Sequence, residues 1–100
     1  MEASAQTDGN YARIVLVGHF TFEAHRAFRA AYADIVSNPE IDRLDVDFAG
    51  VDYLDSSGLG MLLLLRERMA QRSVRLLNTH GPVRTVLEVA NFSRLFDMPV

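Results

Sequence analysis

Leu44-Asp45-Val46-Asp47-Phe48 alternates apolar and acidic residues without a break. Successive side chains of a strand point to opposite faces, so this run has one apolar face and one charged face. A sheet built on it packs helices mainly on one side and turns the other toward water. The runs on either side of it must supply those helices.

Before it, Asp8-Gly9-Asn10 reads as a turn that closes a hairpin from a weak first strand near Ala3–Thr7, or a flexible lead-in over residues 1–10. Tyr11-Ala12-Arg13-Ile14-Val15-Leu16-Val17-Gly18 is β-branched and largely apolar, which predicts a central strand buried on both faces. Thr21 is placed to cap a helix, with Glu23 in its first turn. Ala24, Ala27, Phe28, Ala31, Tyr32 and Ile35 then recur at helical spacing until Ser37-Asn38-Pro39 ends the run.

After the alternating strand, Ala49–Leu54 reads as a link to a second helix, from about Ser57 to Gln71. Val74–Asn78 is a further strand, Gly81-Pro82 opens a third helix, and Asn91 stops it before the turn Phe92–Phe96. The order (β)-β-α-β-α-β-α predicts a single small α/β domain over residues 1–100, with a mixed, mostly parallel sheet of about four strands. Its helices lie mainly on one face.

Charge and composition remove several function classes. The formal net charge is −3, and all ten basic residues are dispersed arginines, so nucleic-acid binding is not expected. With no cysteine, thiol catalysis, disulfides and thiolate metal sites are absent. The first ten residues have neither a charged nor an apolar signal-peptide region, and the longest apolar run, Leu59–Leu65, is far short of the ~20 residues of a membrane span. A soluble cytoplasmic protein without a membrane partner is expected.

The chemistry concentrates at Asp55-Ser56-Ser57-Gly58-Leu59-Gly60-Met61. One acid or hydroxyl is enough to cap a helix, and here there are three in a row. Gly58 and Gly60 each cost about 1 kcal/mol relative to alanine within a helix, and close backbone approach by a partner would account for them. The segment follows a strand's carboxyl end, where open α/β sheets place their sites. A hydroxyl there is a plausible phosphoacceptor, because phosphate adds roughly −1.5 to −2 charges and three acceptor oxygens at a terminus that tolerates anions. The residues alone leave Ser56 and Ser57 equally open.

A nucleophile elbow needs glycine two residues before the serine, and neither Ser56 nor Ser57 has one. His19, His25 and His80 have no spacing that ties them to a serine or to a metal. Neither enzyme activity nor a metal site is expected. Gly58-Leu59-Gly60 lacks the lysine and third glycine of a phosphate-cradling loop, so no cofactor is expected either. The Leu59–Leu65 run is apolar nearly all round, which fits a central, fully packed helix; the alternative is that one edge, with Met61, stays exposed beside the serines as a docking patch.

Asp55-Ser56-Ser57-Gly58-Leu59-Gly60 after an alternating strand resembles the signature of STAS domains, and specifically of bacterial anti-sigma factor antagonists. The resemblance runs from the strand ending at Gly18 to Phe92-Ser93-Arg94-Leu95-Phe96, and is nearest to short Gram-negative members of partner-switching pathways. It implies that Ser56 is phosphorylated by an anti-sigma factor/serine kinase that uses ATP, and dephosphorylated by a PP2C-type phosphatase. It also implies that Asp55, Ser57, Gly58, Leu59, Gly60 and Met61 form the partner-binding surface, and that the unphosphorylated form binds the anti-sigma factor. The alternative it leaves is a constitutive STAS subunit docked on a transporter ATPase or another signalling complex. The chain departs from the family at Gly18-His19-Phe20-Thr21, where an acidic pattern such as Gly-Glu-Leu-Asp is common.

Overall fold

A computed structural model describes residues 1–99; Val100, the last residue of the expected domain, lies outside the described residues. The strands are β1 (Glu2–Asp8), β2 (Tyr11–Phe20), β3 (Arg43–Leu54) and β4 (Ser73–Leu77), and the helices are α1 (His25–Ser37), α2 (Ser56–Met69) and α3 (Gly81–Val89). Short 3-10 turns sit at Phe22–Ala24 and Phe92–Arg94. The strands follow chain order across one sheet, β1-β2-β3-β4. β1 pairs antiparallel with β2, and the β2/β3 and β3/β4 pairs are parallel, as strands joined through helices must be. Among the described residues, no helix is long and apolar enough to cross a membrane.

The core lies between one sheet face and the helices. Ala12, Ile14, Leu16 and Phe20 of β2, with Leu44, Val46 and Phe48 of β3, meet Phe28, Tyr32 and Ile35 of α1 and Leu62, Leu65 and Met69 of α2. Phe20 stacks edge-on against both Phe28 and Phe48. The stripe expected for the first helix is therefore its buried face. Thr21 makes no side-chain cap, and the chain passes through the 3-10 turn before α1 begins at His25.

The expected hairpin forms: β1 is in register with β2 from Glu2 opposite Val17 to Asp8 opposite Tyr11, one residue longer at each end than Ala3–Thr7, and the Gly9 turn (φ +61°) closes it. Two expectations change. β2 is central in pairing, but it is buried on one face only, since no helix covers the other and Tyr11, Arg13 and Val15 lie half-buried there. Ala49–Leu54 is not a link. β3 runs on through Leu54 because β2 is long enough to pair with it, His19 against Tyr53 and Phe20 against Leu54, across two register shifts.

The charged face is paired rather than simply hydrated. Asp45, only 2 % exposed, accepts from Arg75 Nε and Nη2 at 2.8 and 2.7 Å and from the Tyr11 hydroxyl at 2.6 Å. Asp47 accepts from Arg13, from Asn78 Nδ2 at 2.9 Å and from the Ala49 amide at 2.9 Å. Burial pushes both carboxyls upward, but these donors outweigh it and hold both below the ordinary carboxylate value. The acids of the alternating run thus tie three parallel strands together across the face that lacks helices.

Candidate functional site

The extension of β3 to Leu54 delivers Asp55 directly to the start of α2. Asp55 has extended backbone, and its Oδ1 accepts from the Gly58 amide at 3.1 Å, while its carbonyl accepts from Leu59 N at 3.2 Å. It is the N-cap, and it satisfies one of the amides that every helix start leaves unpaired. Neither Ser56 nor Ser57 is drawn into capping, and neither hydroxyl has a hydrogen-bond partner within the described residues. Ser56 is exposed and Ser57 half-buried. Three polar residues therefore split into one structural acid and two uncommitted hydroxyls.

The two glycines have different reasons. A Cβ on Gly58 would lie 2.5 Å from the Phe20 carbonyl oxygen and 2.7 Å from Leu54 Cδ1, so Gly58 lets α2 seat on the ends of β2 and β3. The close approach expected from a partner is, at Gly58, made by the chain itself. Gly60 differs: nothing lies within 4 Å of its Cβ position, and the residue is exposed. Its helix-weakening glycine has no internal packing explanation.

The apolar run of α2 also sorts by side. Gly58, Met61, Leu62, Leu65 and Met69 face the core, and Met61 is 6 % exposed. Met61 is not the open edge; that falls to Leu63 and Leu64, because the helix's buried stripe passes through 61, 62 and 65. Leu59 packs partly against the core. Sequence reasoning missed Phe22, which is 72 % exposed just before α1. Its signal was its place off the Ala24–Phe28–Tyr32–Ile35 stripe. Phe22, His25, Ser57, Gly60 and Leu64 line one depression, with Met61 in its wall.

On the other rim, the ends of β2 and β3 bring His19 Nε2 to 3.4 Å from Asp52 Oδ1, and the His19 ring meets Tyr53 edge-on at 5.7 Å. The residue that replaces the family's acidic pattern is thus paired with an acid on the neighbouring strand. His80 lies on a different element and its Nε2 is 3.2 Å from the Ala49 carbonyl oxygen. His25 shares the depression with Ser57.

Comparison with known proteins agrees with this geometry. The family model described as "Mlab, STAS domain" matches residues 3–98. A STAS-domain containing protein of Pseudomonas aeruginosa (strain UCBPP-PA14) is 41 % identical over 96 residues, covering 94 % of this chain and 93 % of that one. Among solved structures, an anti-sigma factor antagonist from Mycobacterium paratuberculosis superposes with a TM-score of 0.83 at 17 % identity, covering 96 % of this chain and 82 % of that one. The anti-sigma factor antagonist SpoIIAA in its unphosphorylated form gives 0.81 at 19 % identity, covering 98 % and 88 %. The phosphorylated form of Bacillus SpoIIAA gives 0.74 at 18 % identity, covering 98 % and 91 %. The four-stranded mixed sheet, the helices on one face and the match over nearly the whole length lead to one conclusion: the chain belongs to the STAS domain family.

Proposed function

We propose that this protein is an anti-sigma factor antagonist in a cytoplasmic partner-switching pathway, switched by reversible phosphorylation of Ser56. The observation that carries the reading is the division of labour at α2: Asp55 holds the helix start, so the exposed Ser56 hydroxyl is free to change without removing a cap. A serine kinase transfers the γ-phosphoryl group of ATP to Ser56 Oγ; the new O–P bond replaces the bond to ADP, and the hydroxyl proton leaves to a base of the kinase. A PP2C-type phosphatase hydrolyses the ester with water and restores the hydroxyl. ATP and catalytic groups belong to those enzymes, and this chain is their substrate.

The phosphate sits where the helix dipole and the unpaired first-turn amides favour an anion, so the fold tolerates it. Its roughly −1.5 to −2 charges, beside Asp52 and Asp55, change the surface from mildly to strongly acidic. An anti-sigma factor matched to the free hydroxyl loses affinity. Asp55, Ser57 and Gly60 flank the acceptor and form the contact, Leu59 lies at its edge, and the buried Gly58 and Met61 act by fixing the backbone beneath. The resemblance to SpoIIAA, an anti-sigma factor antagonist with unphosphorylated and phosphorylated forms, supports the same reading.

The test is peptide mapping by mass spectrometry of the protein recovered from its host cells. Phosphate is expected on Ser56. Equal phosphorylation of a Ser56→Ala variant removes the assignment.

A further inference from the structure

The depression beside Ser57 and Gly60 continues along the outside of α1. His25 is shared by three adjoining hollows: one with Phe22, Gly60 and Leu64, one with Arg26, Arg29, Ala30 and Ala33, and one with Arg29, Tyr32 and Arg68. Between α1 and α2 the groove runs from Gly60 to Arg68, about 12 Å or just over two helical turns, opposite His25, Arg29 and Tyr32. Arg26, Ala30 and Ala33 lie on the adjoining outer side of α1. Tyr32 and Leu64 are the groove's apolar lining, and its Ser57 end is flanked by Phe22, 72 % exposed, and Leu64, 49 % exposed.

The charge along it is one-sided. On the sheet face Arg13 and Arg75 are paired with Asp47 and Asp45, and Arg43 lies over the Tyr11 ring. Arg84 is paired with Glu88, Arg72 and Arg66 donate to carbonyls, and, among the described residues, Arg94 stands without an acid on the Phe92–Arg94 turn. Among the described residues, Arg26, Arg29 and Arg68 have neither an acid nor a hydrogen-bond acceptor for their guanidinium groups. Among the described residues, Glu23 is the single acid lining these three hollows, on the outer α1 side near Phe22. A protein of net charge −3 therefore keeps two free cations, Arg29 and Arg68, on the α1–α2 groove and a third, Arg26, beside it among the described residues. A two-fold pairing of this face with a second copy would set those arginines against each other.

We propose that the α1–α2 groove receives an acidic amphipathic helix of the partner protein, its apolar side chains against Phe22 and Leu64 and its carboxylates on Arg29 and Arg68, with Arg26 beside it on the outer side of α1. Helix-in-groove recognition uses this combination of an apolar trough and a complementary rim. The inference rests on the Ser56 reading for its regulatory meaning: Ser57 and Gly60 form the end of the groove, so a phosphate on Ser56 places negative charge where an acidic helix enters. It also gives Gly60 a reason, since a side chain there would stand in that entrance.

The experiment titrates the isotopically labelled full chain with a synthetic Leu/Glu amphipathic helix of about three turns, followed by NMR. Saturable amide shifts are expected along Phe22–Ala33 and Ser57–Arg68. Binding should fall by roughly tenfold in Arg29→Glu/Arg68→Glu, and also in Phe22→Ser, with thermal midpoints retained because these side chains are exposed. Equal binding of the peptide with Lys in place of Glu, or shifts mapping elsewhere, overturns the proposal. So does concentration-dependent shifting of this face without peptide, which assigns it to a second copy. Ser56→Asp separates the two readings. Equal peptide binding by wild type and Ser56→Asp leaves the groove standing and removes the phosphate switch; no peptide binding by the unphosphorylated wild type, when Ser56 is found phosphorylated in cells, removes the groove and leaves the switch.

Discussion

Asp55 and Ser56 are neighbours with different burdens, and stability measurements separate them. Asp55→Ala removes the acceptor for Gly58 N and should lower unfolding free energy by about 1 kcal/mol. Ser56→Ala should stay within about 0.5 kcal/mol of wild type in the same urea titration; a larger loss would mean the serine is a cap after all. The glycines make a second contrasting pair. Gly58→Ala forces a methyl group against the Phe20 carbonyl and should destabilise by about 1–3 kcal/mol. Gly60→Ala meets open space and should stabilise by up to about 1 kcal/mol. Thermal unfolding of both variants gives the signs.

At the scale of elements, the β2–β3–β4 charge ladder makes stability depend on acid. Asp45 and Asp47 have folded-state values below 3.8, so their contribution is fully present above about that pH and is lost as pH falls through the depressed values. Unfolding midpoints should therefore drop steeply on acidification below pH 3.8, and less steeply in Asp45→Asn/Asp47→Asn, which starts from a lower midpoint. An unchanged slope would show that these pairs do not carry the acid sensitivity. The alternation that announced β3 was legible because period two needs only local residues. Its continuation through Ala49-Gly50 was not, because those residues read as a break and the strand persists only through pairing with β2. The serine-rich helix start was also visible in sequence. Which residue caps it, and which glycine is packed, depended on where Phe20 arrives from a remote strand. Likewise Leu63 and Leu64 could not be told from Leu62 and Leu65 in an unbroken apolar run.

Over the whole molecule, Arg72 is the least legible residue and among the most connected. Its guanidinium donates to Val36 O at 2.8 Å, Ile41 O at 3.0 Å and Asn38 O at 3.2 Å, carbonyls 31 to 36 residues away, as well as to Met69 O at 3.0 Å. It closes the carboxyl ends of α1 and α2 together. Arg72→Met should cost about 1–3 kcal/mol, while Arg26→Met changes stability by less than about 0.5 kcal/mol. Arg72→Lys should recover only part, since an ammonium cannot span the same set of carbonyls. Equal midpoints for Arg72→Met and Arg26→Met would refute this role.

Both helices run from the carboxyl end of one strand to the amino end of the next, so Arg72 binds them at the end opposite Ser56. Geometrically the pair is two levers on a common fulcrum, so amide shifts caused by Ser56→Asp should be largest along the α1–α2 seam beside the hydroxyl and smallest beside the guanidinium.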